Sequence, residues 1–229
     1  MKDLIFKIII PFYSRFNRLT KPSGNFKLAV NDVEPMSRKF GIDRGTPVDR
    51  YYIEKYLAEN KKYITGRVLE IGDDRYTKMF GENITKSDIL DINKNNKVAN
   101  IHADLRRMPN LNNNSYDCII LTQVLGMVDD VNSVLSECCR ILKPNGTLIL
   151  TTSAISPQID HEFSYWRFTE QSIRYLLDKK FKKIKVSSFG NAYIGQAIWV
   201  GMAQEDINKK FLEVNDRQFQ CIVAAIATK

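Results

Sequence analysis

A doubly wound α/β fold, a sheet with helices on both faces, follows from three features of the sequence. Short apolar runs of strand type alternate with amphipathic helical patterns along most of the chain. The run Arg67–Ile71 breaks at Gly72 into a turn of the kind that opens a ligand crevice at a sheet end. Later apolar runs close on polar groups, at Asp88, at Asp104 and at Thr122–Gln123. Ligands of open parallel sheets bind beyond such strand ends.

The elements can be justified in chain order. Residues 1–18, "MKDLIFKIIIPFYSRFNR", mix apolar and basic side chains. They lack a small-residue cleavage site, which argues against a signal peptide. The segment either lies on an anionic membrane surface or docks as a terminal helix on its own domain or on a second copy in a homodimer. Residues 20–45, broken by Pro22, Gly24, Pro35 and Gly41, read as a linker or a loosely packed arm. The expected division is therefore an arm over 1–45 and a main domain over 46–229.

That domain opens on a helix, "TPVDRYYIEKYLAENKKYI", with Thr46 as N-cap and Pro47 at the first helical position. A short helix after the Gly72 turn should end at Gly81. "NITKSDILDI" holds the second strand, with Asp88 placed at its end, and "VANIHADL" the third, with Asp104 near its end. "YDCIILTQVLGM" is a buried strand opening into Thr122 and Gln123. Asp129 or Asp130 caps a helix whose apolar face carries Val131, Val134, Leu135, Cys138, Ile141 and Leu142. "KPNG" reads as a turn before the strand "TLILTT". Thr169 caps a further helix, with Phe168 and Ile173 spaced for a hydrophobic staple. "FKKIKVSSF" alternates like a half-exposed strand, "YIGQAIWVGMAQ" reads as helical, and "FQCIVAAIA" reads as a buried strand.

Composition narrows the function classes. The chain has 229 residues, 44% hydrophobic and 26% charged, which suits one α/β domain with a sizeable core. Net charge is +8, but the basic residues are scattered, so a solvated lysine-rich surface is expected rather than a nucleic-acid partner. The four cysteines lack metal-ligand spacing; they read as reduced core thiols of a cytoplasmic protein, and no metal site is expected. No apolar stretch approaches the ~20 residues of a membrane span.

The turn itself selects among ligands. A dinucleotide turn needs further glycines so that a pyrophosphate can settle on a helix N-terminus. Here Asp73 and Asp74 follow Gly72, and both would repel phosphate. The lysine and Ser/Thr of a P-loop are absent as well. A nicotinamide-dependent oxidoreductase is thereby disfavoured. S-adenosylmethionine, with a sulfonium, an ammonium and no phosphate, suits Glu70 before the glycine and Asp73 after it. Asp88 can take both ribose hydroxyls, Asp104 can accept from the adenine amino group, and Leu105 can pack on the ring.

In this ordered set, "VLEIG", "HADL", "YDCIILTQVL" and "RILKPNGTLILTT", the sequence resembles class I S-adenosylmethionine-dependent methyltransferases. More narrowly, "DRGTPVDRYYIE", "YWRFT" and "NDRQFQCIVAAI" resemble methyltransferases of bacterial polysaccharide gene clusters. The resemblance implies a Rossmann-like sheet of seven strands, the last antiparallel. It also implies a cofactor pocket lined by Glu70, Gly72, Asp88, Asp104, Thr122 and Gln123. The sequence departs from the family pattern at Asp74 and Tyr76, often glycine there, and at Gly126, often aromatic or histidine.

The loop after "TLILTT" should carry the acceptor chemistry. His161 is the candidate general base because its ordinary pKa is near neutrality. Tyr165 and Trp166 are placed to stack on a sugar or to latch the loop. Arg50 and Tyr51, on the first helix, are candidate substrate-side residues. The expected function is O-methylation of a sugar or related small molecule in surface-glycan synthesis, in the cytoplasm or at the inner membrane face. The alternatives are a small-molecule methyltransferase unrelated to glycans and a cofactor-binding scaffold.

Overall fold

The computed structural model describes residues 33–158 and 163–229. These fall into two compact units. The sheet unit takes in residues 53–154, 163–188 and 222–229; the second unit takes in residues 33–52, 155–158 and 189–221. Residues 1–18, read as a membrane-lying or docking segment, lie outside the described residues. Among the described residues no helix is long and apolar enough to cross a membrane.

The elements are α1 (Val48–Glu59), β1 (Gly66–Ile71), α2 (Arg75–Phe80), β2 (Ile84–Asp91), β3 (Ile101–His102), β4 (Tyr116–Thr122), α3 (Val131–Ile141), β5 (Leu142–Ser153), α4 (Glu170–Asp178), β6 (Lys183–Phe189), α5 (Ala192–Val200), α6 (Lys209–Glu213) and β7 (Ile222–Thr228). The strands form a seven-stranded sheet in the order β3-β2-β1-β4-β5-β7-β6. β1 pairs in parallel with β2 and β4, while β7 runs antiparallel to β5. This is the Rossmann-like arrangement with its last strand reversed.

Burial explains the pattern. Four consecutive residues of β4, Cys118–Leu121, have no solvent exposure, as expected of a central strand covered on both faces. Val134, Leu135, Cys138 and Ile141 bury the apolar face of α3 in the same core. Asp130 is its N-cap, accepting from the Ser133 amide. Thr169 caps α4, and Phe168 and Ile173 are both buried, as the staple requires. β6 ends the sheet, and its exposed Lys183 and Lys185 make that edge a poor template for a further strand.

Three local readings need correction. "KPNG" is not a turn preceding a strand but a bulge within β5. Tyr116 pairs with Leu142 and Cys118 with Thr147, so residues 143–146 swell out opposite one residue of β4. Asn145, at φ 64°, takes the left-handed conformation this needs. The helix α1 starts one residue after Pro47, and Thr46 bonds Glu205 through its amide and hydroxyl at 2.9 and 3.0 Å instead of capping it.

The second half of the supposed linker is packed. In the second unit Arg44 and Asp206 form an ion pair of 2.8 Å with side chains only 1% and 2% exposed. Removing one partner strands the other charge in the interior. Arg44→Ala should therefore destabilise the fold by about 3–5 kcal/mol, whereas a paired Arg44→Met, Asp206→Leu variant should be much milder. Denaturant midpoints of the three proteins check this.

Candidate active site

The carboxyl ends of β1 and β2 meet at Gly72 and Asp91. The parallel register sets Ile71 against Leu90, and the Gly72 amide donates to the Leu90 carbonyl at 2.9 Å, so the chain stays in step past the end of β1. Asn96 locks the pair: its Nδ2 donates to the Gly72 carbonyl and to Asp91 Oδ2, each at 2.7 Å. Asp91 also accepts from the Asn93 amide at 2.8 Å. Gly72 has φ 85°, and a Cβ built on it would meet nothing within 4 Å among the described residues. The turn therefore faces open space with a carboxylate at its side.

Asp88 is not at the strand end. It sits three residues earlier with no solvent exposure. It accepts from Arg67 Nε and Asn100 Nδ2 at 2.8 Å and from the Tyr116 hydroxyl at 3.1 Å, and it pairs with Lys86 at 3.1 Å. Burial pushes its pKa up, but the bonds from Asn100, Arg67, Lys86 and Tyr116 outweigh that and hold the carboxyl below its ordinary value. Its carboxylate is committed to the interior. The reason is strand length: β2 runs on to Asp91, which the sequence reading passed over. The register of β1 with β2 was the signal, because the residue beside a glycine turn is the one that ends the neighbouring strand.

Glu70 is 2% exposed, and its oxygens accept from the Tyr76 amide, the Thr77 amide and the Thr77 hydroxyl at 2.7–3.0 Å. It fixes the first turn of α2, and burial raises its pKa against those bonds. Asp73 is half exposed and accepts from the Arg75 amide at 3.0 Å. Asp104 lies beyond the two-residue β3. Arg106 grips both its oxygens, the closest contact being 2.6 Å, and reaches Asp129 at 2.7 Å. The hydrogen bond from Arg106 holds the Asp104 carboxyl below its ordinary range. Leu105 is 7% exposed and belongs to the core cluster, so it presents little surface to a ring. Ile92, next to Asp91, is an apolar residue left 66% exposed at this strand end.

β4 ends at Thr122, which pairs with Thr151. Gln123 follows at φ 57°, a conformation that costs a non-glycine residue energy and often marks a functional turn. Its Oε1 accepts from Ser153 Oγ at 2.8 Å, while its Nε2 is buried without a hydrogen-bond partner among the described residues. Gly126 is explained as well. Its carbonyl accepts from the amides of Tyr165 and Trp166 at 2.8 and 3.2 Å, and a Cβ there would lie 3.0 Å from the Trp166 carbonyl. The indole of Trp166 donates to the Val128 carbonyl at 3.0 Å. The aromatic loop occupies the space that a larger residue would take.

Phe163, Tyr165 and Trp166 remain 47–71% exposed, and the first two rings stack with centroids 5.8 Å apart. His161 lies outside the described residues. Arg50 and Tyr51 belong to the second unit, where Tyr51 packs edge-on against Tyr52 with centroids 5.1 Å apart. Cys118, Cys138 and Cys221 are buried free thiols and Cys139 is half-buried. Burial pushes Cys221 up to about 11, far from a reactive thiolate.

Residues 64–150 match the family described as "Methyltransferase domain". Over this stretch the chain carries a methyltransferase domain, with S-adenosylmethionine as its cofactor. The turn at Gly72 fits that cofactor, since it offers open space, a neighbouring carboxylate and no phosphate cradle. Solved structures share the domain's fold. One is a SAM-dependent methyltransferase from Archaeoglobus fulgidus, 16% identical with a TM-score of 0.55, covering 79% of this chain and 94% of its own. Another, from Thermotoga maritima and described as a possible histamine N-methyltransferase, is 17% identical with a TM-score of 0.55, covering 80% and 91%. No curated protein matches the chain in sequence.

Proposed function

We propose that the domain methylates an oxygen of a sugar or related small molecule, in the manner of a surface-glycan modifying enzyme. The observation that carries the cofactor assignment is the Gly72–Asn96–Asp91 link, which holds a carboxylate beside an open glycine turn. In this reading Asp91 accepts from the two ribose hydroxyls and Ile92 packs on the adenine. Gln123 supplies its unpartnered amide donor to the amino-acid end. S-adenosylmethionine, when bound, supplies an electrophilic methyl group.

The protein's part is to aim a nucleophile and remove its proton. Tyr165 and Trp166, held out on the Gly126 carbonyl, offer ring faces to the C–H face of a sugar. His161 is the proposed base, which would take the proton of the acceptor hydroxyl. The exposed aromatic shelf supports a sugar over a charged acceptor.

Calorimetry tests the cofactor part. Asp91→Ala should weaken S-adenosylmethionine binding about tenfold or more, because charge-assisted hydrogen bonds are lost. Unchanged affinity would remove Asp91 from the site. Release of S-adenosylhomocysteine with a panel of sugars and glycans tests the acceptor. Turnover on amines but on no hydroxyl of the panel would overturn O-methylation.

A further inference from the structure

The segment "NDRQFQC", residues 215–221, which the proposed methyl-transfer chemistry does not use, walls a pocket of about 400 Å³ whose described lining residues all belong to the second unit. That volume lies in the ~300–1,000 Å³ range of small-ligand sites. One wall is a face of α5 that carries Ala192, Gly195, Gln196 and Trp199 at helical spacing; the other is the loop Gln218–Phe219–Gln220. Among the described residues that line it, none is charged.

The frame is fixed by polar groups, of which Asn191 is buried. Asn191, 9% exposed, caps α5 through the Ile194 amide at 3.0 Å and donates to the Phe211 and Val214 carbonyls at 2.9 and 2.8 Å. Asp216 pins the loop: its amide donates to the Gly190 carbonyl at 2.8 Å, and its carboxylate accepts from the Gln218 amide at 3.0 Å. Gly190, at φ 109°, lets Cys221 come close, since a Cβ there would lie 2.5 Å from its sulfur. On this frame Trp199 and Phe219 stand 56% and 50% exposed, large apolar rings that the described residues leave uncovered.

We infer that this pocket is a binding site for a neutral sugar residue. Aromatic faces pack on the apolar C–H face of a pyranose. A glutamine amide donates and accepts side by side, and a pair of adjacent sugar hydroxyls needs both. Gln196 and Gln218 offer such amides. A nucleotide, a phosphate or a uronic acid would find no charged partner among the described lining residues. The site does not require the methyl acceptor to be a sugar.

Trp166 and Trp199 are the two tryptophans of the chain, so Trp166→Phe leaves Trp199 as a single emitter. Titration of that variant with maltotriose, mannotriose and chitotriose should give a saturable change in emission with at least one. Phe219→Ala, and separately Gly195→Leu, which fills the pocket without removing a ring, should weaken that binding at least tenfold. Circular dichroism and S-adenosylhomocysteine binding establish that each variant is folded. Absence of any saturable change, its persistence in both variants, or a response to glucuronic acid equal to that of the neutral sugars overturns the proposal. Because the readout involves no turnover, failure here and failure of the methyl-transfer reading are separable.

Discussion

Asp88→Ala is expected to cost about 3–5 kcal/mol of stability, because it removes a fully buried anion from Arg67 and Lys86 and takes the acceptor from Asn100 and Tyr116. The loss should sit near the lower limit, since the Arg67 side chain is 32% exposed and water can solvate part of its charge. The pH dependence carries a sign that checks the mechanism. The folded-state pKa of Asp88 is depressed below its unfolded value near 3.9. Its contribution is therefore complete above the unfolded value and is lost as pH falls through the folded one. Thermal midpoints of wild type and Asp88→Asn, measured from pH 7 down to pH 2, should converge at the acid end. A gap that stays constant over that window would mean that the charge on Asp88 is not what stabilises the strand.

Gly72→Val should abolish most cofactor binding. The substitution places a β-branched residue at φ 85°, with about 1–2 kcal/mol of backbone strain, and puts a side chain into the open space beside Asp91. Affinity for S-adenosylmethionine is expected to fall roughly a hundredfold, equivalent to ~3 kcal/mol. Gly72→Ala should show a smaller loss of the same kind. Calorimetry resolves both, and a valine variant that binds like wild type would place the cofactor elsewhere.

The sheet was legible because its signals are local. The unbroken apolar run of β4, the Asp130 and Thr169 caps and the small buried residues of β7 each announce themselves within a few positions. What escaped depends on partners far along the chain. Asp88 and Asp91 are both carboxylates in one apolar run, and only the pairing with β1 tells which one ends at the crevice. Thr46 looks like a helix cap until Glu205 claims it. Asn96 sits in a polar stretch with no periodicity, and its role exists only because Gly72 and Asp91 lie side by side in space. Arg106 likewise engages Asp104 and Asp129, an arrangement that no spacing rule encodes. Gly72 itself was visible, since a lone glycine after a buried strand marks a turn whatever the ligand.

Gly126 carries a consequence for energetics. Its carbonyl fastens the aromatic loop to the segment that follows β4, the same segment that holds Gln123 in its left-handed turn. A ligand that orders either one spares the next ligand part of the cost of ordering the other. Linkage then demands reciprocity: whatever factor the cofactor adds to acceptor affinity, the acceptor must add to cofactor affinity. A bulkier residue at position 126 would loosen that fastening and reduce both factors together.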